Sequence, residues 1–103
     1  MLKPTTITDF QALLGETFHV HSAVGEPLHV ELELIEVSSD AARRNAHAAG
    51  RPFSLIFRAP RTPQLSQGSY ALTDLKETAE LLAFMVPIAD PDPTASYYEI
   101  IFN

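Results

Sequence analysis

Six short stretches of this chain alternate apolar and polar side chains, and that period of two is what most limits how it can fold. Residues 16–21 set Phe18 and Val20 on one face and Thr17, His19 and His21 on the other. Residues 28–37 oppose Leu28, Val30, Leu32 and Leu34 to His29, Glu31, Glu33 and Ile35. Residues 53–58 oppose Phe53, Leu55 and Phe57 to Ser54, Ile56 and Arg58. A short strand enters through Gly68 and carries Tyr70 and Leu72; Leu82, Phe84 and Val86 alternate until Pro87 stops them. The final run, Tyr98-Glu99-Ile100-Ile101-Phe102-Asn103, is expected to pin that end of the chain into the sheet. Alternation argues for antiparallel strands with one wet face, because strands of a buried parallel sheet are apolar on both sides. The expected fold is mainly β: a small antiparallel barrel or sandwich of six to seven strands with a short N-terminal helix, residues 1–103 forming a single domain. The expected core is Phe10, Leu14, Phe18, Val20, Leu28, Val30, Leu32, Leu34, Phe53, Leu55, Phe57, Tyr70, Leu72, Leu82, Phe84, Val86, Tyr98, Ile100 and Phe102.

Connections follow from local chemistry. Thr8-Asp9-Phe10-Gln11 reads as a capping box, with Phe10, Leu13 and Leu14 on one helical face and Gly15 as a C-terminal cap. Gly25-Glu26-Pro27 is a turn that makes the first two strands a hairpin. Residues 38–50 are alanine-rich without a large apolar face and read as a surface excursion. Pro60 and Pro63 mark an extended loop, and Pro91 and Pro93 another. Residues 73–80 fit a helix capped by Thr73 and fit equally a turn into a strand.

The net charge of −6 repels a polyanion, and the five arginines Arg43, Arg44, Arg51, Arg58 and Arg61 are too scattered to offset it, so nucleic acid is not expected as a partner. There is no cysteine, which removes disulfides, thiolate catalysis and cysteine-held metals. The longest apolar run, residues 81–89, contains Pro87 and is too short to cross a bilayer. Residues 1–6 do not read as a signal peptide, so the default location is cytoplasmic, with export inside a larger assembly left open.

Pairing Val20 with Val30 would set His21 opposite His29 and His19 opposite Glu31 on the outer face, their Cβ atoms about 4.5–5.5 Å apart. His19, His21, His29 and Glu31 are therefore candidate ligands for zinc or another divalent ion. The simpler reading is a solvated polar face, since the outside of a hairpin offers no pocket; no metal or cofactor is assigned. No serine stands in a Gly-x-Ser-x-Gly context, and four isolated glycines build no phosphate loop. Asp90-x-Asp92 opens like a calcium loop but lacks its glycine and closing glutamate, which leaves loop-capping aspartates. No catalytic residue is named. Tyr97 and Ile101 alternate with the inward Tyr98 and Ile100 and so point outward; with Ile35 and Ile56 they make a candidate partner surface.

Three segments together resemble a known family. Arg51-Pro52-Phe53-Ser54-Leu55-Ile56-Phe57-Arg58-Ala59-Pro60 is followed by Leu65-Ser66-Gln67-Gly68-Ser69-Tyr70, and the chain closes on Tyr98-Glu99-Ile100-Ile101-Phe102-Asn103. With Asp9-Phe10 and Leu14-Gly15-Glu16-Thr17-Phe18, they resemble a family of uncharacterised β-rich bacterial domains of unknown function, about as long as this chain. The chain departs from that pattern at residues 73–80, where a glycine-containing turn is expected, and in the alanine-rich stretch. The resemblance implies a β-rich domain whose genes can neighbour those of phage-tail-like collar or fibre proteins; it carries over no catalytic residue. The expected function is a non-catalytic structural or protein-interaction module, acting through a protein partner or as a homo-oligomer. The alternatives are a small-ligand-binding barrel, with Tyr70 and the loop from Pro60 to Gly68 at its rim, and a metal-dependent enzyme at the histidine face.

Overall fold

The computed structural model describes residues 3–22, 24, 26–39, 53–89 and 92–102. One short helix, α1 (Ile7–Gln11), precedes six strands: β1 (Thr17–Ser22), β2 (Pro27–Ser38), β3 (Phe53–Pro60), β4 (Gly68–Asp74), β5 (Glu80–Ile88) and β6 (Ala95–Phe102). The strands close into an antiparallel barrel in the order β1-β2-β3-β6-β5-β4, with β4 returning to β1. The expected mainly β class, the helix and the barrel alternative are what the structure shows. The alanine-rich residues 40–50 lie outside the described residues, as does Asp90.

The helix starts earlier than expected. Thr6, not Thr8, is the N-cap: its hydroxyl accepts from the Asp9 amide at 3.1 Å, and the Asp9 carboxylate accepts from the amides of Thr6 and Thr5 at 3.1 and 3.0 Å. Two overlapping boxes were available, and the one that puts a charge in the first turn, where the helix dipole favours it, is used. The helix therefore ends at Gln11, and Leu14, expected in the core, is 46% exposed. Gly15 then takes φ +85°, a conformation glycine adopts without strain. Its amide donates to the Leu34 carbonyl at 2.8 Å, and the Leu34 amide donates to the Glu16 carbonyl at 3.0 Å, which fastens the end of α1 onto β2.

Side chains plug both ends of the barrel. At one end α1 inserts Phe10, whose ring lies 5.7 Å from Phe53 and 5.3 Å from Phe102, while Phe53 and Phe102 stack at 4.8 Å. At the other, residues 61–67 fold inward and bury Leu65. Between the plugs Phe18 meets Phe57 edge to face at 5.8 Å, and Val20, Val30, Leu32, Leu34, Leu55, Leu72, Met85, Tyr98 and Ile100 fill the rest. A barrel of this size has its interior occupied by its own side chains.

Of the two readings of residues 73–80, the turn into a strand is what the structure shows, with the reversal at residues 75–79. β4 runs to Asp74 and β5 begins at Glu80. Asp74 is buried and organises the reversal: its carboxylate accepts from the Thr78 amide at 2.6 Å, the Ala79 amide at 2.9 Å and the Thr78 hydroxyl. Glu77 takes φ 55°, the left-handed conformation in which a glycine is favoured.

β5 is inverted relative to the sequence reading. Leu81 and Met85 are buried, Leu82 is 67% and Phe84 53% exposed, and Val86 is only half-buried. The register with β4 decides this, for Leu81 lies opposite Leu72, Ala83 opposite Tyr70 and Met85 opposite Gly68, all on the inner face. A shift of one residue moves a whole strand's side chains to the other side.

Candidate functional site

The outer side of β5, β6, β3 and β2 carries many apolar side chains, with Glu99, Arg58, Ser54 and Glu36 among them. Val86 lies opposite Glu99 and Ile88 opposite Tyr97; Glu99 in turn lies opposite Ile56, Tyr97 opposite Arg58 and Ile101 opposite Ser54. Phe84 and Ile101 lie on the same outer side, beyond the last registered pair, Val86 with Glu99. Leu82, Phe84, Ile101 (49% exposed) and Ile35 (41%) are the open members, and Val86, Ile88, Ile56 and Tyr97 are half-buried. Together the four open side chains, each presenting up to about 200 Å² when free, expose on the order of 400 Å² of hydrocarbon on the outer side.

The surface residues expected from sequence fall on this face: Tyr97, Ile101, Ile35 and Ile56 all point outward. Ile35 does so by alternation with the inward Leu34, and the bulge that sets Leu34 opposite Phe57 and Glu36 opposite Ile56 turns Glu36 outward beside it. Leu82 and Phe84 are its most exposed members, and the sequence reading put them in the core. The available signal was that residues 81–86 are apolar at both parities (Leu81, Ala83 and Met85 as well as Leu82, Phe84 and Val86), the pattern of a strand apolar on both sides.

A polar cluster closes the face at the end where β6 begins. The Tyr97 hydroxyl donates to Asp92 at 3.0 Å, and Arg58 lies 3.9 Å from the same carboxylate. Hydrogen bonds from the Thr94 hydroxyl, and then from the Thr94 amide and Tyr97, hold the Asp92 carboxyl below its ordinary 3.8, with a smaller contribution from the charge of Arg58. Arg61 donates to the Pro93 carbonyl, and the Ser96 hydroxyl donates to the Arg61 carbonyl at 3.2 Å. Arg43, Arg44 and Arg51 lie outside the described residues.

The histidines are arranged differently from the expected pairing. His19 does lie opposite Glu31, but His21 lies opposite Pro27, not His29. β2 bulges between those pairs, and His29 sits in the bulge with φ 56°. His19, His29 and Glu31 are exposed and His21 half-buried. Among the described residues no three His, Asp or Glu side chains come together as a metal site. The buried carboxylate of Asp74 is occupied by the turn it organises. No helix among the described residues is long and apolar enough to cross a membrane.

Beside the apolar face, where β5 begins and β6 ends, an open cleft of about 420 Å³ lies between Leu81, Leu82 and Phe102 on one side and Lys3, Pro4 and Thr5 on the other. It lies over the barrel wall, outside the filled interior.

The family described as "Domain of unknown function (DUF6916)" matches residues 5–102. The chain belongs to it. No curated protein and no solved structure matches the chain. The match spans α1 and all six strands, so the closed barrel and its outer apolar face both lie within the DUF6916 domain.

Proposed function

We propose that this DUF6916 domain is a non-catalytic structural or protein-interaction module that binds protein through the outer face of β5, β6 and β3. The observation that carries the reading is the exposure of Leu82, Phe84 and Ile101 on the outer side of β5 and β6, in a barrel whose interior is full. Exposed leucine and phenylalanine at neighbouring positions cost solubility, and a partner that covers them recovers about 25 cal/mol for each Å² removed from water. The packed interior and plugged ends favour this reading over a ligand-binding barrel, and the separated histidines favour it over metal chemistry. The net charge of −6 favours a protein over a nucleic acid. A place in a phage-tail-like or fibre assembly is the setting the family resemblance suggests.

Size-exclusion chromatography of extracts from the cells that make the protein tests this. Wild type should elute in a larger complex, and the Leu82→Glu, Phe84→Glu double variant should elute as the free chain. Wild type eluting as the free chain would overturn the reading.

A further inference from the structure

We propose that the wall between β5 and β6 takes up an extended, basic peptide segment as an added strand; this names the kind of partner for the interaction face and rests on that reading. The β5–β6 ladder has three registered pairs, Val86–Glu99, Pro87–Tyr98 and Ile88–Tyr97, whereas β3 and β6 share eight and β4 and β5 six. Yet β5 begins at Glu80 and β6 runs to Phe102, so both strands extend past the paired stretch. The cleft beside Leu81, Leu82 and Phe102 opens at this place.

Backbone alternation says what the open stretch offers. Along an antiparallel strand, every second residue turns its N–H and C=O toward a given neighbour. Pro87 has no N–H, so the hydrogen-bonded pairs with β6 are those of Val86 and Ile88. By the same alternation the backbone groups of Leu82, Phe84 and Ile101 point toward the seam, beyond its paired part. These are also the most exposed large apolar residues of β5 and β6. A strand edge flanked by apolar side chains is the surface that an extended peptide recognises, its main chain supplying affinity and its alternate side chains specificity. From Glu80 to Met85 the edge is six residues long, about 20 Å of strand.

Charge selects the sign of the segment. The chain carries −6 overall; Glu80 stands at one end of the seam and Glu99 at the other, and Lys3, across the cleft, is the opposing cation. A strand of alternating apolar and basic residues matches this better than an acidic one.

The test is amide hydrogen exchange on the whole protein with two capped octapeptides, alternating lysine–valine and alternating glutamate–valine. The lysine–valine peptide should slow exchange at Leu82, Phe84 and Ile101 saturably, by about tenfold or more, and the glutamate–valine peptide should not. Leu82→Pro removes a seam-facing N–H while leaving the groups that face β4, and should abolish the protection. The Glu80→Gln, Glu99→Gln double variant, which spares the backbone, should weaken it several-fold. Unchanged exchange at all three amides, or protection by both peptides alike, overturns strand addition. A wild-type complex that still depends on Leu82 and Phe84 would then leave the broader interaction reading standing.

Discussion

The Leu65 amide donates to the Tyr98 hydroxyl at 2.9 Å, across 33 positions of sequence. Tyr98 is fully buried, and Leu65 is the apolar plug of the barrel end. This bond ties the loop 61–67 to the barrel's largest buried side chain. It supplies the partner that a buried tyrosine hydroxyl requires.

Tyr98→Phe leaves the ring in place and strands the buried Leu65 N–H. The expected cost is about 1–3 kcal/mol, measured by urea unfolding, with faster exchange of the Leu65 amide. Leu65→Ala should loosen the same loop while leaving α1 protected. A Tyr98→Phe variant as stable as wild type would mean that the loop does not depend on this bond.

Met85 and Phe84 are neighbours on β5 with opposite fates. Met85→Ala should cost about 2–5 kcal/mol, as for a large-to-small change in a packed core. Phe84→Thr should move stability by no more than about 0.5 kcal/mol, as for a surface site. The reverse order would place Phe84 inside and remove the interaction face.

Phe10 joins α1 to the barrel through Phe53 and Phe102. Phe10→Ala should cost about 3–5 kcal/mol. Thr6→Ala, which removes the cap alone, should cost about 1 kcal/mol. Thr8→Ala should cost little by comparison, because the box is built on Thr6.

Among the described residues, three carboxylates contribute to the acid limb of stability. Asp74 is lowered from its ordinary 3.8 first by the Thr78 hydroxyl and then by the Ala79 amide; Asp9 is lowered by the amides of Thr5 and Thr6; Asp92 is lowered by Thr94. A depressed folded value means that the unfolded chain takes up the proton first. The contribution is therefore complete above the unfolded value near 3.8 and is lost as pH falls through the lower folded values. Denaturant midpoints should hold between pH 5 and 7 as far as these three are concerned and fall below about pH 4. Asp74→Asn should flatten that fall relative to wild type.

The sequence made the barrel legible wherever one parity was apolar and the other polar, as in residues 28–34 and 53–58. It misled where both parities were apolar. In β5 the bulkier set, Leu82 and Phe84, suggested the core, but the partner strand fixed the register and turned them out. The bulge at His29 was hidden because no glycine marks it; a histidine takes the left-handed conformation instead. The helix start was missed because Thr6 and Thr8 both head a capping pattern. Half of the outer face, Tyr97 and Ile101 with Ile35 and Ile56, followed from alternation. The other half was lost to the same inversion of β5.

If protein covers the wall carrying Leu82, Phe84 and Ile101, a reactive side chain placed there in the cell must meet it. Photo-crosslinking in the cells that make the chain is the deciding experiment, with a benzophenone side chain placed at Phe84 and, as a control, at His19 on the exposed outer side of β1. Position 84 should give one discrete protein adduct and position 19 none. No adduct from position 84, or the same adducts from both, would contradict it.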